Sequence, residues 1–114
     1  MDKQEFAVER TNGSGRVTVT VRGDVDLGTV DALGQALEQA TRESGQVIID
    51  MTDVTFLDST GVRVLVEAYR SAQRHGGVLY IRGARHWVAR VLEVTGVARL
   101  LSMPNAEVAE STQD

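Results

Sequence analysis

Phe6, Val8, Val17, Val19 and Val21 alternate with polar residues. That period of two predicts two strands, each with one buried face. Between the runs lies Asn12-Gly13-Ser14-Gly15, a turn signal, so the chain is predicted to open with a β-hairpin. Gly23 breaks the alternation, and Asp24-Val25-Asp26-Leu27-Gly28 reads as a loop. From Thr29 to about Ser44 the spacing turns helical, with Val30, Leu33, Leu37 and Ala40 on one face, Thr29 or Asp26 as the cap and Gly45 as the stop. Val47-Ile48-Ile49 is continuous and β-branched, which suits a strand buried on both faces and ended by Asp50. A second helix is predicted from about Thr60 to His75, closed by Gly76-Gly77. Its stripe is Val62, Leu65, Val66, Tyr69 and Ala72, with Arg63, Glu67, Arg70 and Arg74 opposite. Val78 to Ile81 reads as a strand, and His86 to Thr95 as a third helix with Val88, Val91 and Leu92 inward and Gly96 at its end. Val97, Leu100 and Leu101 read as a last short strand.

The predicted order is β-β-α-β-α-β-α-(β), an α/β domain with a mixed, mostly parallel sheet of four to five strands and three to four helices. In such sheets sites form at the carboxyl ends of strands. Here those loops are residues 23–28, 51–59 and 83–85. The chain of 114 residues fits one compact domain, taken as residues 1–104. The tail, 105–114, is polar and reads as a weak helix or a disordered segment. There is no cysteine, which excludes disulfides and thiolate metal sites. Met1 to Glu5 is polar, without the apolar core of a signal peptide, and no apolar run approaches the ~20 residues of a membrane span. The expected location is the cytoplasm. A net charge of −4 gives no general attraction to nucleic acid, and 4% aromatics are too few for base-stacking platforms.

Chemistry concentrates in Leu57-Asp58-Ser59-Thr60-Gly61, an acid, two hydroxyls and a glycine at a helix start. One reading is a cap: Ser59 accepts from a backbone N–H, or Asp58 takes that role and frees Ser59. The other is a phosphoacceptor, since a helix start carries partial positive charge and unpaired N–H groups. A catalytic nucleophile would need a base. The only histidines, His75 and His86, lie far along the chain, and no Gly-x-Ser-x-Gly elbow is present. Asp50 superficially resembles the phosphorylated acid of a response-regulator receiver, but the only lysine is Lys3, far from where a receiver needs one. Gly13-Ser14-Gly15 is no phosphate loop, because no Gly-Lys-Ser/Thr follows. These residues predict no enzyme, no cofactor and no metal site.

Three segments together carry a family resemblance: GDVDLGTVDAL at 23–33, VIIDMTDVTFLDSTG at 47–61 and LEVTGVARLL at 92–101. In this order and spacing the chain resembles a STAS domain, specifically the stand-alone bacterial anti-sigma factor antagonists. The resemblance implies a binding module. Unphosphorylated, it would hold an anti-sigma factor, so that a sigma factor is released. The anti-sigma factor, often a serine kinase using ATP and Mg²⁺, would switch it off by phosphorylating Ser59, and a phosphatase would reverse the mark. Thr60 is the secondary acceptor. The partner surface implied is Asp24, Asp26, Asp58, Thr60, Gly61 and Arg63, on a protein expected to be monomeric, with no nucleic acid bound and no membrane insertion. The alternative is a non-switching STAS scaffold subunit of a lipid- or anion-transport complex.

Overall fold

The computed structural model describes residues 5–102; the polar tail at 105–114 lies outside them. Strand β1 (Ala7–Gly13) and β2 (Arg16–Val25) form the hairpin. Its turn is made by Ser14 and Gly15, the second half of the turn signal at 12–15. Ser14 and Gly15 both have positive φ, the mirror-image turn that matches the twist of the flanking strands. Helix α1 (Val30–Glu43), strand β3 (Gln46–Leu57), helix α2 (Ser59–Arg74), strand β4 (Val78–Arg82), helix α3 (His86–Thr95) and the single turn α4 (Val97–Leu100) follow. The four-stranded sheet has the order β1-β2-β3-β4, antiparallel in the hairpin and parallel thereafter.

The core follows from the two periodicities. Val17, Val19, Val21 and Val25 of β2, with Val47, Ile49 and Met51 of β3, meet Leu33, Leu37 and Ala40 of α1 and Leu65 and Ala72 of α2. Ile48, on the other face of β3, is buried as well, in register with Thr18 and Tyr80.

Three expectations are corrected. The loop at 23–28 begins later, because β2 continues to Val25. Gly23 adopts φ +86° in a bulge that absorbs Thr55 opposite, after which pairing resumes at Asp24 and Phe56. Asp50 does not end its strand. β3 runs on to Leu57 against β2, although β4 leaves it at Asp50. The predicted last strand is the helical turn α4. Val97 and Leu101 are buried four residues apart while Leu100 points outward, and the Ile81 N–H of β4 donates to the Leu101 carbonyl at 2.9 Å.

Candidate functional site

The end of the sheet is built by the parallel strands β2 and β3. Asp24 pairs with Phe56 and Val25 with Leu57, and the Asp58 N–H donates to the Val25 carbonyl at 3.2 Å. The acidic loop after β2 and the hydroxyl loop after β3 therefore leave the sheet side by side. Asp58 is extended and caps α2: one oxygen, Oδ1, accepts from Thr60 N–H at 2.9 Å, Gly61 N–H at 3.2 Å and the Thr60 hydroxyl. The hydroxyl bond from Thr60 is the main reason that its carboxyl is held below the ordinary range, with the two amides adding to it against the penalty of partial burial.

That cap settles which side chain closes the start of α2. Ser59 is the first residue of α2, it is exposed, and its hydroxyl makes no hydrogen bond among the described residues. Thr60 is half-buried with its hydroxyl committed to Asp58. The same cap changes the electrostatics expected of the helix start. Two of its N–H groups already face a carboxylate, so a phosphate on Ser59 would sit beside Asp58 without those donors.

Gly61 is buried and acts by position. A Cβ there would lie 2.5 Å from Leu57 Cδ1 and 2.7 Å from Val25 Cγ1, so only glycine lets the first turn of α2 settle onto the two strand ends. Asp26 is half-buried. Its Oδ1 accepts from Gly28 N–H at 3.0 Å, while its backbone carbonyl accepts from Thr29 and Val30. Neither Asp26 nor Thr29 caps α1 with its side chain, contrary to expectation. The Thr29 hydroxyl instead ties the loop together, donating to the Asp24 carbonyl at 2.8 Å and accepting from Asp26 N–H at 3.0 Å. Asp24 accepts from the Thr55 hydroxyl across the strands at 2.7 Å. Arg63 is exposed one turn along α2 from Ser59 and pairs with Glu67 at 3.7 Å.

Sequence reasoning missed the apolar part of this surface. Leu27, held out by the bonded loop, is 76% exposed, and Phe56 is 49% exposed. Neither fits a strand or helix period, and an apolar residue between Asp26 and Gly28 is the one available hint. Asp50 has a local role. Burial alone would raise its pKa, but bonds from the Thr52 hydroxyl and amide and from Arg82 outweigh that and hold it low. His75 ends α2 with Nδ1 2.8 Å from the Ser71 carbonyl. Among the described residues no three His, Asp or Glu side chains gather as a metal would require, and no helix is long and apolar enough to cross a membrane. Grooves of about 440 Å³ between α1 and α2 and about 280 Å³ between β3 and α3 do not include Ser59.

The STAS domain family model matches residues 5–114. The chain belongs to the STAS domain family. An anti-sigma-B factor antagonist of Listeria monocytogenes is 32% identical to it over 92 residues, spanning 80% of this chain and 81% of that one. An anti-sigma factor antagonist of Mycobacterium paratuberculosis superimposes with a TM-score of 0.74 at 24% identity, over 96% of each chain. SpoIIAA, an anti-sigma factor antagonist solved in its unphosphorylated form, does so with a TM-score of 0.71 at 16% identity, over 94% of this chain and 96% of that one. At those identities the two structures show the STAS fold alone. The relatives are antagonists, and the transport-scaffold alternative is not favoured.

Proposed function

We propose that this STAS domain is an anti-sigma factor antagonist that works by binding, and that phosphorylation of Ser59 switches it off. The observation that carries this reading is the division of labour at the start of α2. Asp58 does the capping, so the Ser59 hydroxyl is exposed and unbonded at a sheet end that also presents Asp26, Leu27 and Phe56. The unphosphorylated surface holds the anti-sigma factor through the exposed apolar side chains, ringed by acids. The phosphate arrives from outside, from a partner that is a serine kinase using ATP and Mg²⁺, and a phosphatase removes it. His75 lies 16 residues along the helix, roughly 24 Å away at 1.5 Å per residue, too far to serve Ser59 as a base. On this reading the chain is a monomeric cytoplasmic protein that serves as substrate and ligand rather than as a catalyst.

Phosphate adds about −1.5 to −2 charge near pH 7. It lands next to Asp58, whose acidic shift marks a carboxylate that stays charged at neutral pH. Two unit charges ~4 Å apart at an effective dielectric of 20 interact by about 4 kcal/mol, so a partner acid near Ser59 would lose on the order of a thousandfold in affinity.

Intact mass measurement tests the acceptor. Incubation with ATP and Mg²⁺ alone leaves the mass unchanged, and addition of the anti-sigma factor kinase adds one phosphate that is absent in Ser59→Ala. A phosphate that persists in Ser59→Ala, mapped to Thr60, would sink the assignment.

A further inference from the structure

The segments that build the Ser59 end of the sheet, 24–31 and 53–66, carry five acids, Asp24, Asp26, Asp31, Asp53 and Asp58, and a single base, Arg63. Arg63 stands four residues after Ser59 on α2, and both side chains are exposed. Residues four apart on a helix are surface neighbours, with Cβ atoms ~5–6 Å apart, so a guanidinium at 63 reaches a group carried by Ser59.

In the unmodified chain Arg63 is weakly engaged. Among the described residues it pairs with Glu67 alone, Nε to Oε2 at 3.7 Å, beyond hydrogen-bond length, with the two side chains 77% and 64% exposed. The order of that pair is the poorer one. An acid N-terminal to a base at this spacing is favoured over the reverse, because it agrees with the helix dipole. Glu67 follows Arg63, whereas Ser59 precedes it.

The cap creates the need for a counter-ion. Asp58 Oδ1 holds the Thr60 and Gly61 amides, donors that would otherwise face an anion on Ser59, and it adds a negative charge beside that site. A phosphate there has Asp58 in the same turn and Asp26 in the loop that leaves the sheet alongside. It carries about −1.5 to −2 charge where Glu67 carries one, and its oxygens offer the planar guanidinium a two-point contact.

We infer that Arg63 is the counter-ion of the Ser59 phosphate: on phosphorylation its guanidinium leaves Glu67 and pairs with the phosphate one turn toward the helix start. The pair holds the first turn of α2, so the fold tolerates the added charge. One guanidinium against a dianion and Asp58 leaves the surface negative, so the block to an acidic partner stands. The exposed cation of the unmodified chain is withdrawn at the same moment. The inference rests on Ser59 as the acceptor.

The test uses the full chain with Ser59 phosphorylated, made by inserting phosphoserine at that codon so that no kinase is required. Phosphorus NMR follows the second ionisation of the phosphate, which falls at about pH 6 without special partners. A nearby cation favours the dianion, so Arg63 lowers this pKa. Arg63→Gln is expected to raise it by about half a unit, the size of an exposed pair. Arg63→Lys keeps the cation and should recover most of the shift. Arg70→Gln removes an exposed base roughly 16 Å along the axis from Ser59, at 1.5 Å per residue, and should leave the value unchanged. Asp58 and Asp26 are present in every variant, so their opposing effect cancels in the comparison. Equal pKa values for the parent chain and Arg63→Gln overturn the inference. Equal shifts in Arg63→Gln and Arg70→Gln overturn it too, because they report net charge alone. Either result leaves the Ser59 switch standing. A kinase that adds no phosphate to Ser59 overturns the acceptor assignment instead, a failure distinct from both.

Discussion

Replacing Asp58 with alanine and with asparagine separates its structural role from its charge. Alanine removes one acceptor that serves three donors: Thr60 N–H, Gly61 N–H and the Thr60 hydroxyl. Loss of a helix cap costs about 0.5–2 kcal/mol. Gly61 is buried, so water is poorly placed to take over its amide, and the cost belongs near the top of that range, about 1.5–2 kcal/mol. For a domain of this size that lowers the melting temperature by about 6–10 °C. Asparagine keeps Oδ1 and ranks with aspartate as a cap. It loses only the charge at the helix start, about 0.5 kcal/mol. Thermal unfolding followed by circular dichroism at pH 7 reads both variants. The pH dependence has a definite sign. The folded-state pKa of Asp58 is depressed, so its charge contributes full stability above the unfolded value of about 3.9, and this is lost as pH falls through the lower folded value. The gap between wild type and Asp58→Asn should therefore close on acidification below about pH 4. If alanine costs no more than asparagine, the cap does not hold the start of α2, and the exposure of Ser59 loses its explanation.

Gly61→Ala drives a methyl group against Leu57 and Val25. With contacts at 2.5 and 2.7 Å the overpacking cost belongs in the upper half of about 1–3 kcal/mol; alanine's helix preference returns up to about 1 kcal/mol, so urea unfolding should show a net loss of about 1–2 kcal/mol. An unchanged midpoint would mean that the close approach is not tight. Asp26→Asn keeps the acceptor for Gly28 N–H, so its stability should stay within roughly 0.5 kcal/mol of wild type while kinase-dependent phosphorylation or binding of the anti-sigma factor declines. A folded Asp26→Asn that binds and is phosphorylated normally would confine Asp26 to its loop.

The hairpin, the helices and the parallel order were legible because Val17, Val19 and Val21 keep a strict period of two and the stripes of α1 and α2 keep a helical one. The extension of β3 was not legible, for a specific reason. Its buried residues Met51, Val54 and Leu57 fall three apart, since two bulges, opposite Val21 and at Thr55, shift the phase of the pleat. With Asp50 before them and Thr52, Asp53 and Thr55 between them, the segment imitates a loop. Val97 and Leu101 are four apart, a helical interval too short to establish a period. The Leu57–Gly61 motif was legible as a helix start carrying a hydroxyl. Which side chain caps it was not, because Asp58 and Ser59 are both good caps and only the extended backbone at Asp58 separates them. Leu27 and Phe56 escaped because exposure of an apolar residue depends on tertiary position.

The central claim is that phosphate on Ser59 blocks a surface without disturbing the fold. Titration of the anti-sigma factor with the unphosphorylated chain, the Ser59-phosphorylated chain and Ser59→Ala, with circular dichroism on each, measures it directly. The account predicts that the unphosphorylated chain and Ser59→Ala bind alike, that the phosphorylated chain binds far more weakly, and that all three give the same helix signal. Equal affinity of the phosphorylated and unphosphorylated chains would contradict it, as would weakened binding accompanied by loss of helix.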